Sequence, residues 1–414
     1  MNLFALVILS FLLIDYLLDL VSGRLNLKSM NTALPSEFRD VYNEKSYSES
    51  QQYTGERTRF GWLVSGFDLI LLLGFWFAGG FNWLDQWAMG FDLGVVGTGL
   101  IFIGALVLAR TLLSLPFTIY STFVIEERYG FNKTSVATFI TDRVKGLILT
   151  LLVGFPLLGI IIAFFEFGGP WAWLYAWLGV TLFSLLMQYV APTWIMPFFN
   201  KFEPLEDGEL RIAIEAYAAK VGFPLQGIYV MDGSKRSSKS NAFFTGFGKN
   251  KRIALFDTLI EKHTTEELVA VLAHEIGHYK RRHIVKNMGL SIMQTGIMFA
   301  LLSLFLNVPE LFEAFYMEQM SVYAGLLFFG LLYSPVETLL GLVMQKRSRT
   351  YEFEADRFAA ETTGCPEEMV NVLKKLSRDN LSNLTPHPFY VFLNYSHPPV
   401  LQRIEAIRMG ERSR

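Results

Sequence analysis

His274 and His278 stand four residues apart in the stretch V-L-A-H-E-I-G-H-Y-K, Val271 to Lys280, with Glu275 beside the first of them. On an α-helix that spacing puts both imidazoles on one face, one turn above the other. Two stacked imidazoles can bind one zinc ion, and Glu275 is placed to take a proton from the water that such an ion activates. This is the H-E-x-x-H signature of metalloprotease chemistry. The flanking residues predict the helix that the spacing needs. Thr264 and Glu267 fit a capping box, and the apolar residues Leu268, Val269, Val271 and Leu272 follow. A chance match on an amphipathic helix is the bland alternative, and the residues around the motif weigh against it.

A catalytic zinc needs a third protein ligand and one open position. The third histidine of an H-E-x-x-H-x-x-G-x-x-H pattern is absent, because Arg281 holds its glycine position and Ile284 its last one. His283 lies five residues past His278. Counted along one helix, it turns off the ligand face and reads as a helix-end residue at the membrane interface. A carboxylate on another helix is the remaining option. The stretch Y-E-F-E-A-D-R-F supplies Glu352, Glu354 and Asp356, with Glu361 shortly after. Glu352 and Asp356 share a helix face, so one can bind metal while the other orients a ligating imidazole. All six histidines fall between His263 and His397, which confines imidazole chemistry to the C-terminal half. Cys365 is the only cysteine, which excludes an internal disulfide framework, and its place at a helix start suits a structural role.

The elements that must carry these residues are mostly membrane helices. Of the 414 residues 52% are hydrophobic, 15% aromatic and only 18% charged, and a net charge of −2 gives no reason to expect nucleic acid as a partner. Met1 to Val21 is apolar with no basic n-region and no small-residue cleavage site, so it reads as a retained span. Six more stretches of spanning length follow: about Trp62–Gly80, Leu93–Ala109, Gly146–Phe165, Trp171–Met196, Met288–Val308 and Val322–Val343. All 36 Lys and Arg fall in Arg24–Arg59, Arg110–Lys145, Lys201–Lys286 and Lys346–Arg414. The intervening loops carry only acids, such as Asp85, Asp92, Glu166, Glu310 and Glu313. The positive-inside rule then puts the N-terminus outside and the basic segments in the cytoplasm. Asp68 and Glu337 lie within spans, where ionisable groups face an interior rather than lipid.

The expected fold is mainly α: a seven-span helical membrane protein with a cytosol-facing, zincin-like metalloprotease site and a small β-hairpin. Residues 1–200 hold the first five spans and their cytosolic loops, and 201–286 a catalytic segment. Residues 287–345 hold the last two spans, and 346–414 a C-terminal segment that completes the site. Within the catalytic segment, Glu209–Val221 has helical periodicity and Gly227–Met231 reads as a strand. Asn241–Phe247 and Arg252–Asp257 read as a hairpin about G-K-N-K. The C-terminal segment is expected to contain an acidic helix start, a helix from Pro366 to Ser377 and a terminal helix.

With these pieces in order the chain resembles the type I CAAX prenyl proteases, a family of integral-membrane zinc metallopeptidases. H-E-I-G-H followed by E-F-E-A-D carries the likeness. So do I-E-E-R-Y-G-F-N-K (Ile125–Lys133), S-N-A-F-F-T-G-F-G-K-N-K-R-I-A-L-F-D-T-L (Ser240–Leu259) and S-H-P-P-V-L-Q-R-I (Ser396–Ile404). The resemblance implies one zinc per chain on His274, His278 and Glu352, with Glu275 catalytic and Asp356 behind a ligand. It implies an edge strand at Asn241 and Ala242 that pairs with substrate backbone. It brings His397 and Arg403 near the active site, as donors to the oxyanion that amide hydrolysis builds. It further implies a helical barrel around a water-filled chamber. The expected partners are a peptide or protein substrate, prenylated or otherwise membrane-bound, and the lipid bilayer of the endoplasmic reticulum or a bacterial inner membrane. A seven-span transporter or receptor with a structural zinc site is the rival reading, and Glu275 has no task in it.

Overall fold

In the computed structural model of the chain, which describes residues 1–31, 33–245 and 251–412, seven helical stretches are long and apolar enough to cross a membrane. In chain order come α1 (Leu3–Ser29), α2 (Glu44–Phe77), the short α3 (Gly80–Met89) and α4 (Gly94–Tyr120). A wide π-helical turn, Ser121–Glu126, extends α4. Another, Thr150–Gly154, joins α5 (Val136–Leu149) to α6 (Phe155–Phe167) in one span. A third, Ala191–Ile195, joins α7 (Ala172–Val190) to α8 (Met196–Phe199). Every expected span is present. Most helices run past the expected ranges at one end, because hydropathy marks only the apolar part of each, while α2 ends at Phe77 and α12 at Phe305, short of the expected Gly80 and Val308.

The next segment folds outside the spans. It runs β1 (Phe202–Pro204), α9 (Glu209–Lys220), β2 (Leu225–Met231), β3 (Ala242–Thr245), β4 (Lys251–Phe256), α10 (Asp257–Ile260) and α11 (Thr265–Lys280). The expected hairpin is there as β3 against β4, antiparallel, with Ala242 opposite Leu255 and Phe244 opposite Ile253. Its G-K-N-K turn lies largely outside the described residues. The hairpin is also only part of a four-stranded sheet of order β1-β2-β4-β3, in which β2 and β4 run parallel. The sheet, α9 and α11 share one apolar core that includes Ile214, Ile253, Leu255, Leu272 and Ile276.

The chain then returns through α12 (His283–Phe305), α13 (Pro309–Glu313), α14 (Val322–Thr363), α15 (Pro366–Asp379), α16 (Pro388–Asn394) and α17 (Val400–Arg412). The expected acidic helix start is absent. The basic run Lys346–Arg349 and Y-E-F-E-A-D-R-F are interior turns of α14, a single helix of 42 residues. At about 1.5 Å per residue such a helix is roughly 60 Å long. Its charged half is rich in Lys, Arg, Glu and Ala, which propagate a helix well, and holds no Gly or Pro that would call for a break.

The spans form a closed ring. Neighbours along it are α1–α2, α4–α6, α6–α7, α7–α12, α12–α14 and α14–α1. Between α2 and α4 the ring closes through Phe67 on Phe117, 4.9 Å between centroids, and an Asp68–Arg110 ion pair at 3.0 Å. Asp68 is thus neutralised by a neighbouring helix, and Glu337 is exposed in the wall. Only 6–17% of the most apolar window of each span is buried, as suits a wall one helix thick with two accessible faces. At one end α3, α13 and the starts of α4 and α14 close the ring over Trp76, Phe81, Phe102, Phe315 and Phe328. Gly99 permits that closure, since a Cβ there would lie 2.9 Å from both Ile162 and Tyr323. At the other end α14 leaves the ring and lies along α11. Gly277, inside the H-E-I-G-H motif, lets the two backbones touch, because a Cβ there would lie 3.1 Å from the Ala355 Cα.

Candidate metal centre

The α11–α14 contact brings two histidines and one carboxylate together. The capping box expected at the start of α11 is formed, with Glu267 accepting from the Thr264 N–H at 3.1 Å and Thr264 accepting from the Glu267 N–H at 3.3 Å. One turn apart on this helix, His274 Nε2 and His278 Nε2 face each other at 3.2 Å. From α14, Glu352 Oε1 reaches to 3.3 Å from His278 Nε2, and Oε2 to 3.5 Å from His274 Nε2. A ligand atom from each of the three lies within 4.8 Å of the other two. Glu352 Oε2 is buried and accepts no hydrogen bond. Two imidazole nitrogens and an unsatisfied carboxylate oxygen converging on one point form a donor set that fits a divalent cation such as zinc. Glu354, the neighbouring carboxylate, points elsewhere.

The other expected site residues collect around this cluster. Asp356 Oδ1 sits 2.9 Å from His274 Nδ1, behind the ring. From α17, Arg403 grips Asp356 with Nε on Oδ2 at 2.8 Å and Nη2 on Oδ1 at 2.6 Å, and its Nη1 lies 3.5 Å from Glu352. That bidentate engagement braces Asp356 and turns the guanidinium toward Glu352. His397 differs: its side chain is 63% exposed, and Nε2 lies 3.5 Å from Glu352 Oε1. Burial pulls the His274 pKa down, but the carboxylates of Asp356 and Glu352 outweigh it and hold the ring at about 9 without a cation.

Glu275 is half-buried and makes no hydrogen bond or ion pair with any described residue. Burial raises its pKa, the charge of Glu352 adds to the effect, and the nearby histidines oppose it. A carboxylate so shifted is a better proton acceptor than an ordinary one.

His283 departs from expectation. Helix α11 ends before it, Arg282 takes the left-handed conformation at φ 58°, and α12 starts at His283. The reversal folds His283 back, 2% exposed, to bring its Nδ1 within 3.0 Å of His278 Nδ1. It adjoins the cluster without being one of the three converging donors.

Ala242 opens β3, an edge of the sheet, with Asn241 just before it, and β3 runs beside α11. Just before it, Lys239 bonds Glu126 at 2.9 Å and the Tyr53 hydroxyl at 2.7 Å. Glu126 belongs to I-E-E-R-Y-G-F-N-K, so that motif braces the edge strand against α2 and the end of α4. Lys239 carries no sequence signal of its own that would have marked this task.

A ring of membrane helices with such a cluster at one end has the make-up of an integral-membrane metallopeptidase. Residues 24–201 match the family model for the CAAX prenyl protease N-terminal part, with five membrane helices, and residues 204–411 match peptidase family M48. The chain belongs to the type I CAAX prenyl protease family, within peptidase family M48. It is 41% identical over 309 residues to a CAAX prenyl protease 1 homolog of Oryza sativa subsp. japonica, covering 74% of this chain and 72% of that one. It is 35% identical over 409 residues to CAAX prenyl protease 1 of Saccharomyces cerevisiae, covering 92% and 89%. The crystal structure of S. mikatae Ste24p matches with a TM-score of 0.91 at 33% identity, covering 98% of this chain and 99% of that one.

Proposed function

We propose that the chain is a zinc metalloendopeptidase that cuts peptide bonds near the C-terminus of prenylated or other membrane-associated proteins. One zinc per chain is held by His274, His278 and Glu352. The observation that carries this reading is the convergence of those three side chains beside an unengaged carboxylate, Glu275. A zinc ion there supplies Lewis-acid polarisation of the scissile carbonyl and acidifies water. Glu275 accepts the proton of the attacking water and passes it to the departing amine. The substrate backbone pairs with the free edge of β3 at Asn241 and Ala242, as an added strand. The names of the relatives, CAAX prenyl protease 1, support the substrate class. Purified protein should cleave a prenylated peptide, lose that activity to a chelator and regain it with zinc. Zinc bound without cleavage of any peptide favours the structural-zinc alternative.

His397 and Arg403 have separate tasks. His397, the more accessible, donates to the developing oxyanion, and Arg403 holds Asp356 and Glu352 in place. Replacing His397 by alanine is expected to lower kcat by roughly 10²–10³-fold with zinc retained. Replacing Arg403 by alanine is expected to lose activity and part of the zinc together, because it takes the guanidinium away from two buried carboxylates, Asp356 and Glu352. Zinc content and peptide cleavage measured on each variant test this. An unchanged kcat for His397→Ala returns Ser396–Pro399 to the role of a turn.

The distribution of Lys and Arg supports an N-terminus outside and a metal centre on the cytoplasmic side. Cys365, exposed on that side, should resist a membrane-impermeant thiol reagent in sealed cells. A cysteine replacing exposed Glu313 in a Cys365→Ser background should react. Labelling of Cys365 from outside reverses the orientation.

A further inference from the structure

His278 and His274 are braced in different ways. The Nδ1 of His274 meets a carboxylate directly, that of Asp356 at 2.9 Å. The Nδ1 of His278 meets another imidazole, His283 Nδ1, at 3.0 Å, and His283 Nε2 in turn meets Glu354 Oε2 at 2.9 Å. We propose that His283 and Glu354 form a positioning chain that fixes His278 in the tautomer with a bare Nε2, a proposal that rests on the zinc reading above.

The direction of the chain follows from what each group can do. A carboxylate only accepts, so the proton between Glu354 and His283 sits on His283 Nε2. The two Nδ1 atoms, 3.0 Å apart, share a single proton, and His283, which already carries its proton on Nε2, faces His278 with a bare Nδ1. That nitrogen accepts, so the proton between the two imidazoles belongs to His278 Nδ1. The His278 lone pair then lies on Nε2, the atom that faces His274 at 3.2 Å and Glu352 at 3.3 Å. The His283 ring has no freedom to turn. It stacks on Tyr351 with 3.8 Å between centroids and 8° between planes. Tyr351, Glu352, Glu354 and Asp356 all belong to α14. One helix therefore provides a ligand and the outer supports of both histidines.

Groups behind a metal-bound imidazole typically change metal affinity by 10–100-fold when removed. The test is the zinc dissociation constant of the purified full chain, by competition with a chelator of known affinity. His283→Phe keeps the ring on Tyr351 and removes both nitrogens. It is expected to bind zinc about 10–100-fold more weakly while the zinc-free protein unfolds at the wild-type temperature. His283→Asn returns an acceptor oxygen to the place of Nδ1 and is expected to recover most of that affinity, an outcome that a merely space-filling His283 does not predict. Where His283→Phe does not fold, Glu354→Ala carries the test. It leaves the buried ring in place and is expected to weaken zinc by a smaller factor. Wild-type affinity in His283→Phe, or failure of His283→Asn to improve on it, overturns the proposal, as does wild-type affinity in Glu354→Ala. Wild-type protein that holds no zinc overturns the metal reading first and this chain with it.

Discussion

Glu275→Gln is expected to hold zinc as the wild type does and to lose hydrolysis by roughly 10²–10⁴-fold. Glutamine has the shape of glutamate and cannot accept the proton of the attacking water. The substitution also leaves the fold undisturbed, because Glu275 makes no hydrogen bond or ion pair with a described residue that the change would break. Its raised pKa, caused first by burial, means that the carboxylate gains more from taking a proton than an exposed one does. The measurement is zinc content and peptide cleavage on the same preparation. Full activity in this variant would remove Glu275 from the mechanism and leave the cluster as a structural site.

The second large effect is on the metal itself. Glu352→Ala and His274→Ala are each expected to empty the site of zinc and to abolish cleavage, since two ligands do not make a catalytic zinc site. Glu354→Ala is the comparison. Glu354 lies two residues from Glu352 and carries the same side chain, but it touches His283 and not the cluster. It should therefore keep zinc, at reduced affinity. If Glu354→Ala loses the metal and Glu352→Ala keeps it, the ligand assignment is wrong.

The parts of the site that obey helical spacing could be read from the chain. His274 with His278, and Glu352 with Asp356, are i and i+4 pairs, and each pair does share a face. The Thr264–Glu267 box was legible for the same reason. His283 was not, because counting five residues along a helix assumes that the helix continues. Arg282 at φ 58° ends that assumption, and no residue-type rule calls for a left-handed arginine there. The continuity of α14 was hidden differently. Its sequence changes from apolar to charged near Lys346, which looks like a boundary when only the solvent around the helix has changed. The parallel pairing of β2 with β4 was beyond reach, since β3 lies between them in sequence and no local pattern records a crossover.

The long α14 has a mechanical consequence. Its first half sits in the ring of spans, while α11, with both imidazoles, belongs to the sheet-bearing segment outside it. A zinc ion held by His274, His278 and Glu352 would therefore be a clasp across two bodies. One is gripped by lipid and the other is not. A bilayer that tilts α14 to match its thickness pulls on the clasp from one side only. The metal should accordingly be lost sooner from thin or detergent-softened surroundings than from a bilayer of matched thickness. Chelation, in turn, should loosen the seam between α11 and α14 before it disturbs either body.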